Sequence, residues 1–139
     1  MATSNTIKRV DYFYATVKDQ PGEAYRILNQ LAELGINLQA ITVIPTGPQA
    51  TQMTIFPEDT LELQSVAKKA NLPVDGPYPA ILVQGNDRVG ALVDIHEKLF
   101  RAGVNVFASS GVSSGAGYFG YLLYVRPETY DTAAEVLEI

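Results

Sequence analysis

The chain has 139 residues, of which 47% are hydrophobic and 18% charged, a composition suited to one ordinary globular domain or two very small ones. Its net charge of −5, with no cluster of Lys and Arg, excludes a nucleic-acid partner held by phosphate neutralisation. No apolar run approaches the roughly 18 residues of a membrane helix. Cysteine is absent, so disulfides and thiolate chemistry are excluded, and the absence fits the cytoplasm. The opening Met1-Ala-Thr-Ser-Asn-Thr6 has neither a basic flank nor an apolar stretch and does not read as a secretory signal.

The elements recur. Residues 10–17 are rich in Tyr, Phe and Val and predict a strand. A helix follows, with Ala24, Ile27, Leu28, Leu31 and Leu34 as one apolar stripe. Asp19 is expected to cap its start, and Gly35 to end it in a left-handed conformation. Strands are predicted over about 37–45 and 50–57 with a turn at Thr46–Gln49, then a helix carrying Leu61, Leu63, Val66 and Ala67. A short segment, Leu72–Val74, is a candidate fourth strand. The order then starts again: a strand at Ala80–Val83, a helix with Leu92, Ile95, Leu99 and Ala102, strands over about 104–110 and 118–126, and a helix with Ala133, Ala134, Val136 and Leu137. Asp87 and Gly103 take the places of Asp19 and Gly35. The segment from Asp19 to Leu38 aligns without a gap on that from Asp87 to Val106, 68 residues later. Pro57-Glu58 and Pro127-Glu128 match at a spacing of 70, which predicts a longer second hairpin with a flexible Ser/Gly loop over 110–117. The repeat divides the chain into modules at 7–75 and 76–139. Each is small enough to be marginal alone and is expected to pack on the other or on a second chain.

A strand, then Asp-x-x-Gly opening a helix, then Gly-Ile/Val-Asn opening the next strand, resembles the ACT domain, and the match covers both halves. The resemblance implies an α+β fold of two ferredoxin-like βαββαβ modules, each an antiparallel sheet with helices on one face. No last strand is read before Ile139, so the second module is expected to lack one and to leave a sheet edge open near Tyr78–Gly85. Such an edge needs covering, and a homodimer or higher oligomer is expected. Val89 stands where the family often has Pro.

The resemblance also implies a regulatory protein, not an enzyme, that binds a small molecule, most plausibly an amino acid, and needs no cofactor. The first helical turn would face the start of the next strand, usually where two modules meet. The residues themselves suit such a site. Unpaired N–H groups at a helix start attract a carboxylate, Gly22 and Gly90 allow close approach to the backbone, and Asp19, Asp87, Asn37 and Asn105 supply polar groups for an ammonium. The second copy is expected to dominate, with Asp87, Arg88, Val89, Gly90, Ala91 and Asn105, because Glu23 in the first copy competes for the helix end. Asn105→Ala is therefore expected to hurt binding more than Asn37→Ala. The competing reading is an interaction module that regulates an enzyme without a ligand. Gly111–Gly117 is no P-loop, since it lacks Gly-Lys-Ser/Thr and leads into a strand. His96, the only histidine, reads as an ordinary, partly exposed helix residue. No metal-ligand cluster is read, and the strand tyrosines, among them Tyr12, Tyr14, Tyr118, Tyr121 and Tyr124, read mostly as core or interface.

Overall fold

A computed structural model describes residues 5–139. The elements run β1 (Thr6–Lys18), α1 (Glu23–Glu33), β2 (Leu38–Gly47), β3 (Ala50–Pro57), α2 (Thr60–Ala70), β4 (Asp75–Asn86), α3 (Val93–Arg101), β5 (Val106–Ser113), β6 (Tyr118–Val125) and α4 (Pro127–Val136). Two compact units result. One is Asp11–Tyr78, and the other is Pro79–Ile139 with the N-terminal residues through Val10. The fold is α+β and ferredoxin-like.

In the unit Asp11–Tyr78 the strands lie in the order β2, β3, β1, β4. β1 pairs antiparallel with β3 at Phe13↔Ile55, and β2 pairs antiparallel with β3 at Ile41↔Ile55 and Val43↔Met53. The period of two along β1 sends Phe13, Ala15 and Val17 to one face. There they join Ile27 and Leu31 of α1, Leu63 and Ala67 of α2, and Met53 and Ile55 in one buried cluster. The short stretch of β4 in this unit lies close against β1. A side chain at Gly76 would stand 2.7 Å from both the Phe13 ring and the Tyr12 carbonyl oxygen, and its φ of +153° also favours glycine. On β1, Tyr12 and Tyr14 meet Tyr78 at ring-centroid distances of 5.6 and 5.4 Å. The Tyr78 hydroxyl donates to Asp75 at 3.0 Å. Hydrogen bonding to Asp75, and then to Tyr78, holds the Tyr14 phenol well above the ordinary tyrosine range.

In the other unit the order is β1, β4, β6, β5. Ile81 and Val83 of β4, Ile95 and Leu99 of α3, Leu123 and Val125 of β6, and Tyr130 and Ala133 of α4 form its core. No strand follows α4 among the described residues. Residues 6–10 of β1 lie beside β4 instead. Ile7 packs against the core, the Arg9 guanidinium sits 5.8 Å from the centre of the Tyr130 ring and donates to the Ile139 carbonyl at 3.1 Å. The open edge expected near Tyr78–Gly85 is therefore absent, because β4 has β1 on one side and β6 on the other. The terminal strands are β2 and β5.

Both helix stops agree with expectation, and both starts do not. Gly35 and Gly103 are left-handed, with φ of 75° and 72°. Ile36 N–H donates to Leu31 and Gly35 N–H to Ala32, and Val104 and Gly103 repeat the pattern on Leu99 and Phe100. These paired bonds close the last helical turn, and the buried contacts Ile36–Leu31 and Val104–Leu99 support it. Asp19 and Asp87 are not caps. α1 and α3 begin after Gly22 and Leu92, with no side-chain cap bond, because a turn separates each Asp from its helix. The Asp backbones instead tie strand ends to hairpin tips: Asp19 N–H donates to Gln49 and Asp87 N–H to Gly117. The side-chain cap forms at Asp59, which accepts from Glu62 N–H at the start of α2.

The two hairpins are equal in length. Val43↔Met53 and Gly111↔Tyr121 both keep the 68-residue offset. Pro57 ends a strand whereas Pro127 opens a helix, so their match in sequence is not one in space. β5 runs to Ser113, which shortens the expected loop. The Ser114 side chain organises the turn by accepting from Ala116 and Tyr118 N–H.

A fragment of residues 76–139 lacks Ile7, Arg9 and Val10 and is expected to show no cooperative thermal transition by circular dichroism. Cooperative melting would refute the closing role of residues 6–10. A second expectation concerns alkali. A phenol whose ionisation is raised on folding contributes stability that is fully present below about pH 10 and is lost as the pH climbs through the raised value. Asp75→Asn should move the Tyr14 titration, followed by phenolate absorbance, back toward the ordinary range and reduce this loss above pH ~10.

Candidate functional site

A cavity of about 530 Å³ opens beside the start of α3. The turn from Asp87 to Val93 forms one wall, and Gly111, Ser113 and Tyr121 are among the strand residues that form the other. Its origin lies in strand alternation. Gly111 is opposite Tyr121, Ser109 opposite Leu123 and Ser113 opposite Phe119. Leu123 and Tyr121 belong to the core under the helices, so Ser109, Gly111 and Ser113 face that side too. Edge strand β5 packs Val106 against the core at its start, and beyond it presents Ser109, Gly111 and Ser113 on the same face, beside the cavity.

The first repeat carries larger side chains at the matching positions. Ile41, Val43 and Pro45 of β2 stand where Ser109, Gly111 and Ser113 stand, 68 residues on. Met53 stands for Tyr121, and Leu28 for His96. The frame is shared, and the second repeat exchanges aliphatic side chains for small and polar ones.

Tyr121 is fixed from two sides. Its hydroxyl is 2.8 Å from His96 Nε2, and a side chain on Gly111 would lie 2.8 Å from its Cδ1. Behind it a second cavity, of about 290 Å³, is lined by His96, Phe100, Asn105 and Ser109 among others, at the far end of α3. Tyr121 lines the first cavity and His96 the second.

The site residues expected from sequence divide accordingly. Asp87, Arg88, Gly90 and Ala91 line the first cavity. The side chain of Val89 is fully exposed and lies outside it. Ala91 N–H is engaged with the Arg88 carbonyl at 3.2 Å and Val93 N–H with that of Gly90 at 3.1 Å. Those two amides are thus occupied, and among the residues that line the cavity Arg88 carries the positive charge. Asn105 is not brought to this group, since the length of α3, about 13 Å at 1.5 Å per residue, separates them. In the first repeat Gly22 is left-handed, with φ of 90°, Asp19 is exposed, and Glu23 pairs with Arg26 at 2.9 Å. Asn37 lies at the opposite end of α1, beside a cavity of about 160 Å³, and donates to Glu58. Among the described residues no group of three or more His, Asp or Glu could hold a metal, and no helix is long and apolar enough to cross a membrane.

Beside these cavities the structure also places His96 and Tyr121, which the sequence reads as an ordinary helix residue and as core or interface, and Ser109, which it does not single out; Gly111 belongs to the expected Ser/Gly loop. The signal was present in the repeat itself: carrying the gap-free alignment through the hairpin sets Leu28 against His96, Ile41 against Ser109 and Val43 against Gly111.

No protein-family model and no curated relative matches the chain in sequence. Solved structures match its fold. Protein BT0572 from Bacteroides thetaiotaomicron has a TM-score of 0.78 at 15% identity, over 95% of this chain and 88% of that one. The ligand-free regulatory subunit of aspartate kinase from Thermus thermophilus has a TM-score of 0.59 at 16% identity, over 99% and 97%. Aspartokinase III of E. coli, in complex with lysine and aspartate, has a TM-score of 0.51 at 18% identity, over 97% of this chain and 32% of that one. At these identities the likeness is one of fold alone.

Tyr121→Phe removes the hydroxyl and leaves His96 Nε2 without its partner. A loss of about 0.5–1.5 kcal/mol in denaturant unfolding is expected, with an unchanged denaturant slope. No loss would show that the bond contributes nothing to the fold.

Proposed function

We propose that the chain is a ligand-sensing regulatory protein, built from two ACT-like modules at 7–75 and 76–139, that binds an amino acid or related small carboxylate in the second repeat. The observation that carries this reading is the cavity beside α3, present where Ser109, Gly111 and Tyr121 replace Ile41, Val43 and Met53. Its volume of about 530 Å³ falls in the range of small-molecule sites. The ligand carboxylate lies against Arg88 and the Val89 and Gly90 amides, where the partial positive charge of the α3 start adds to that of the guanidinium. Asp87 accepts from the ligand ammonium. Support also comes from the fold shared with a regulatory subunit of aspartate kinase. The protein acts in the cytoplasm as a homo-oligomer and modulates a partner or its own assembly, without a cofactor and without catalysis.

The second reading, an interaction module without a ligand, is favoured by one feature. Edge strand β2 exposes Ile41, Val43 and Ile44 by 42, 47 and 54%, and an apolar edge is a natural surface for another chain. Calorimetric titration with the twenty amino acids separates the two. Under the ligand reading Arg88→Ala weakens the best binder by about tenfold, the worth of one charge-assisted hydrogen bond. Asn105→Ala, outside this cavity, changes it by less than about twofold, about 0.4 kcal/mol. Equal losses from both variants would refute the placement, and no heat with any amino acid would refute the ligand.

A further inference from the structure

We infer that His96 and Tyr121 form a length gauge, a hydrogen-bonded partition that ends the ligand cavity and restricts it to amino acids or carboxylates with short side chains. This rests on the reading of the cavity as a ligand site.

Residues of α3 and β5 line two cavities on the same face of the second repeat, of about 530 and 290 Å³. Along β5 the lining includes Gly111 and Ser113 in the first cavity, and Val106 and Ser109 in the second. What stands between them is a buried tyrosine whose ring lies against the backbone of Gly111 and whose hydroxyl is held from the helix by His96 at 2.8 Å. The helix and the strand thus grip the partition from opposite sides. In the first repeat the same three positions carry Leu28, Val43 and Met53. Those residues can fill space but cannot make this hydrogen bond.

A ligand anchored by its carboxylate at Arg88 and Gly90 extends its side chain through the first cavity toward the Tyr121 ring. A short side chain ends there. A long one requires the ring to leave Gly111 and the hydroxyl to leave His96, so the bond is broken only by ligands that are too long. Opening the partition would join the first cavity to the second, where Asn105, Ser109 and the imidazole offer polar groups to a distant amine or amide. His96 is a positioning residue in this scheme, and Tyr121 sets specificity.

The test is a side-chain length series, alanine, serine, threonine, glutamine, lysine and arginine, titrated calorimetrically into the full chain. Three variants accompany the native protein: Tyr121→Ala removes the partition, Tyr121→Phe removes only its bond, and His96→Leu installs the residue of the first repeat. The native chain is expected to favour the short members over lysine and arginine by at least about tenfold, as expected for a site that discriminates by fit. In Tyr121→Ala that ratio should collapse or invert, with intermediate ratios in the other two. Thermal midpoints establish that each variant is folded. If Tyr121→Ala does not fold, the ratios of Tyr121→Phe and His96→Leu decide. Since His96 is the only histidine, its imidazole resonances report occupancy without ambiguity, and a short ligand should shift them in the native chain. A length profile unchanged in folded variants overturns the gauge and leaves the ligand site standing. A native preference for long side chains overturns it as well. Failure of every amino acid to bind the native chain and Tyr121→Ala alike overturns the ligand site itself, and the gauge with it.

Discussion

Residues 6–10 of β1 complete the second repeat: they lie beside β4, and Ile7 packs against its core. α4 is the last element of the chain, yet its Tyr130 and the backbone at Ile139 are met by Arg9, almost the whole sequence away. Ile7 adds its side chain to the same core. A sheet completed by a segment this remote needs a long-range closure, whose entropic cost grows only slowly with the length enclosed. The core of the second repeat thus draws one of its packed side chains from the N-terminal strand. The α3–β5 space, and the cavity in it, exist on a frame whose last strand arrives from the opposite end of the chain.

That closure is also where the sequence was hard to read. The repeat, the helices and both glycine stops were legible because each has a local cause: an apolar stripe, or a left-handed residue that few side chains tolerate. The missing last strand had none. Nothing near Ile139 marks residues 6–10 as its replacement, since the pairing is set by what the sheet lacks and not by a local motif. The caps failed for a different reason. Asp19 and Asp87 have the composition of a cap, but each lies several residues before its helix, where its backbone serves a hairpin instead. Propensity names suitable residues without placing them.

The site divides on the same principle. Asp87 to Ala91 was legible as a helix approach with a glycine. Asn105 lines a different cavity, because closeness in a motif is not closeness in space: an intervening helix carries its two ends apart. The residues that excavate the cavity were visible only as differences between the repeats. Ser109 and Gly111 alone are unremarkable strand residues. Against Ile41 and Val43 they become lost volume on the inner side of an edge, and His96 against Leu28 becomes a polar group set to meet a tyrosine.

The location of that lost volume has a consequence for how a duplicated fold can acquire a pocket. A void sealed in a core costs roughly 24 cal/mol for each Å³ left empty, so removing several aliphatic side chains from a central strand would consume much of a small domain's stability. β5 has a neighbour on one side only. Space opened beneath a terminal strand can communicate with solvent and need not be a sealed void. The sheet edge is thus the part of the architecture where material can be removed at least energetic expense, and the opening made by its removal is already a route by which a solute can enter.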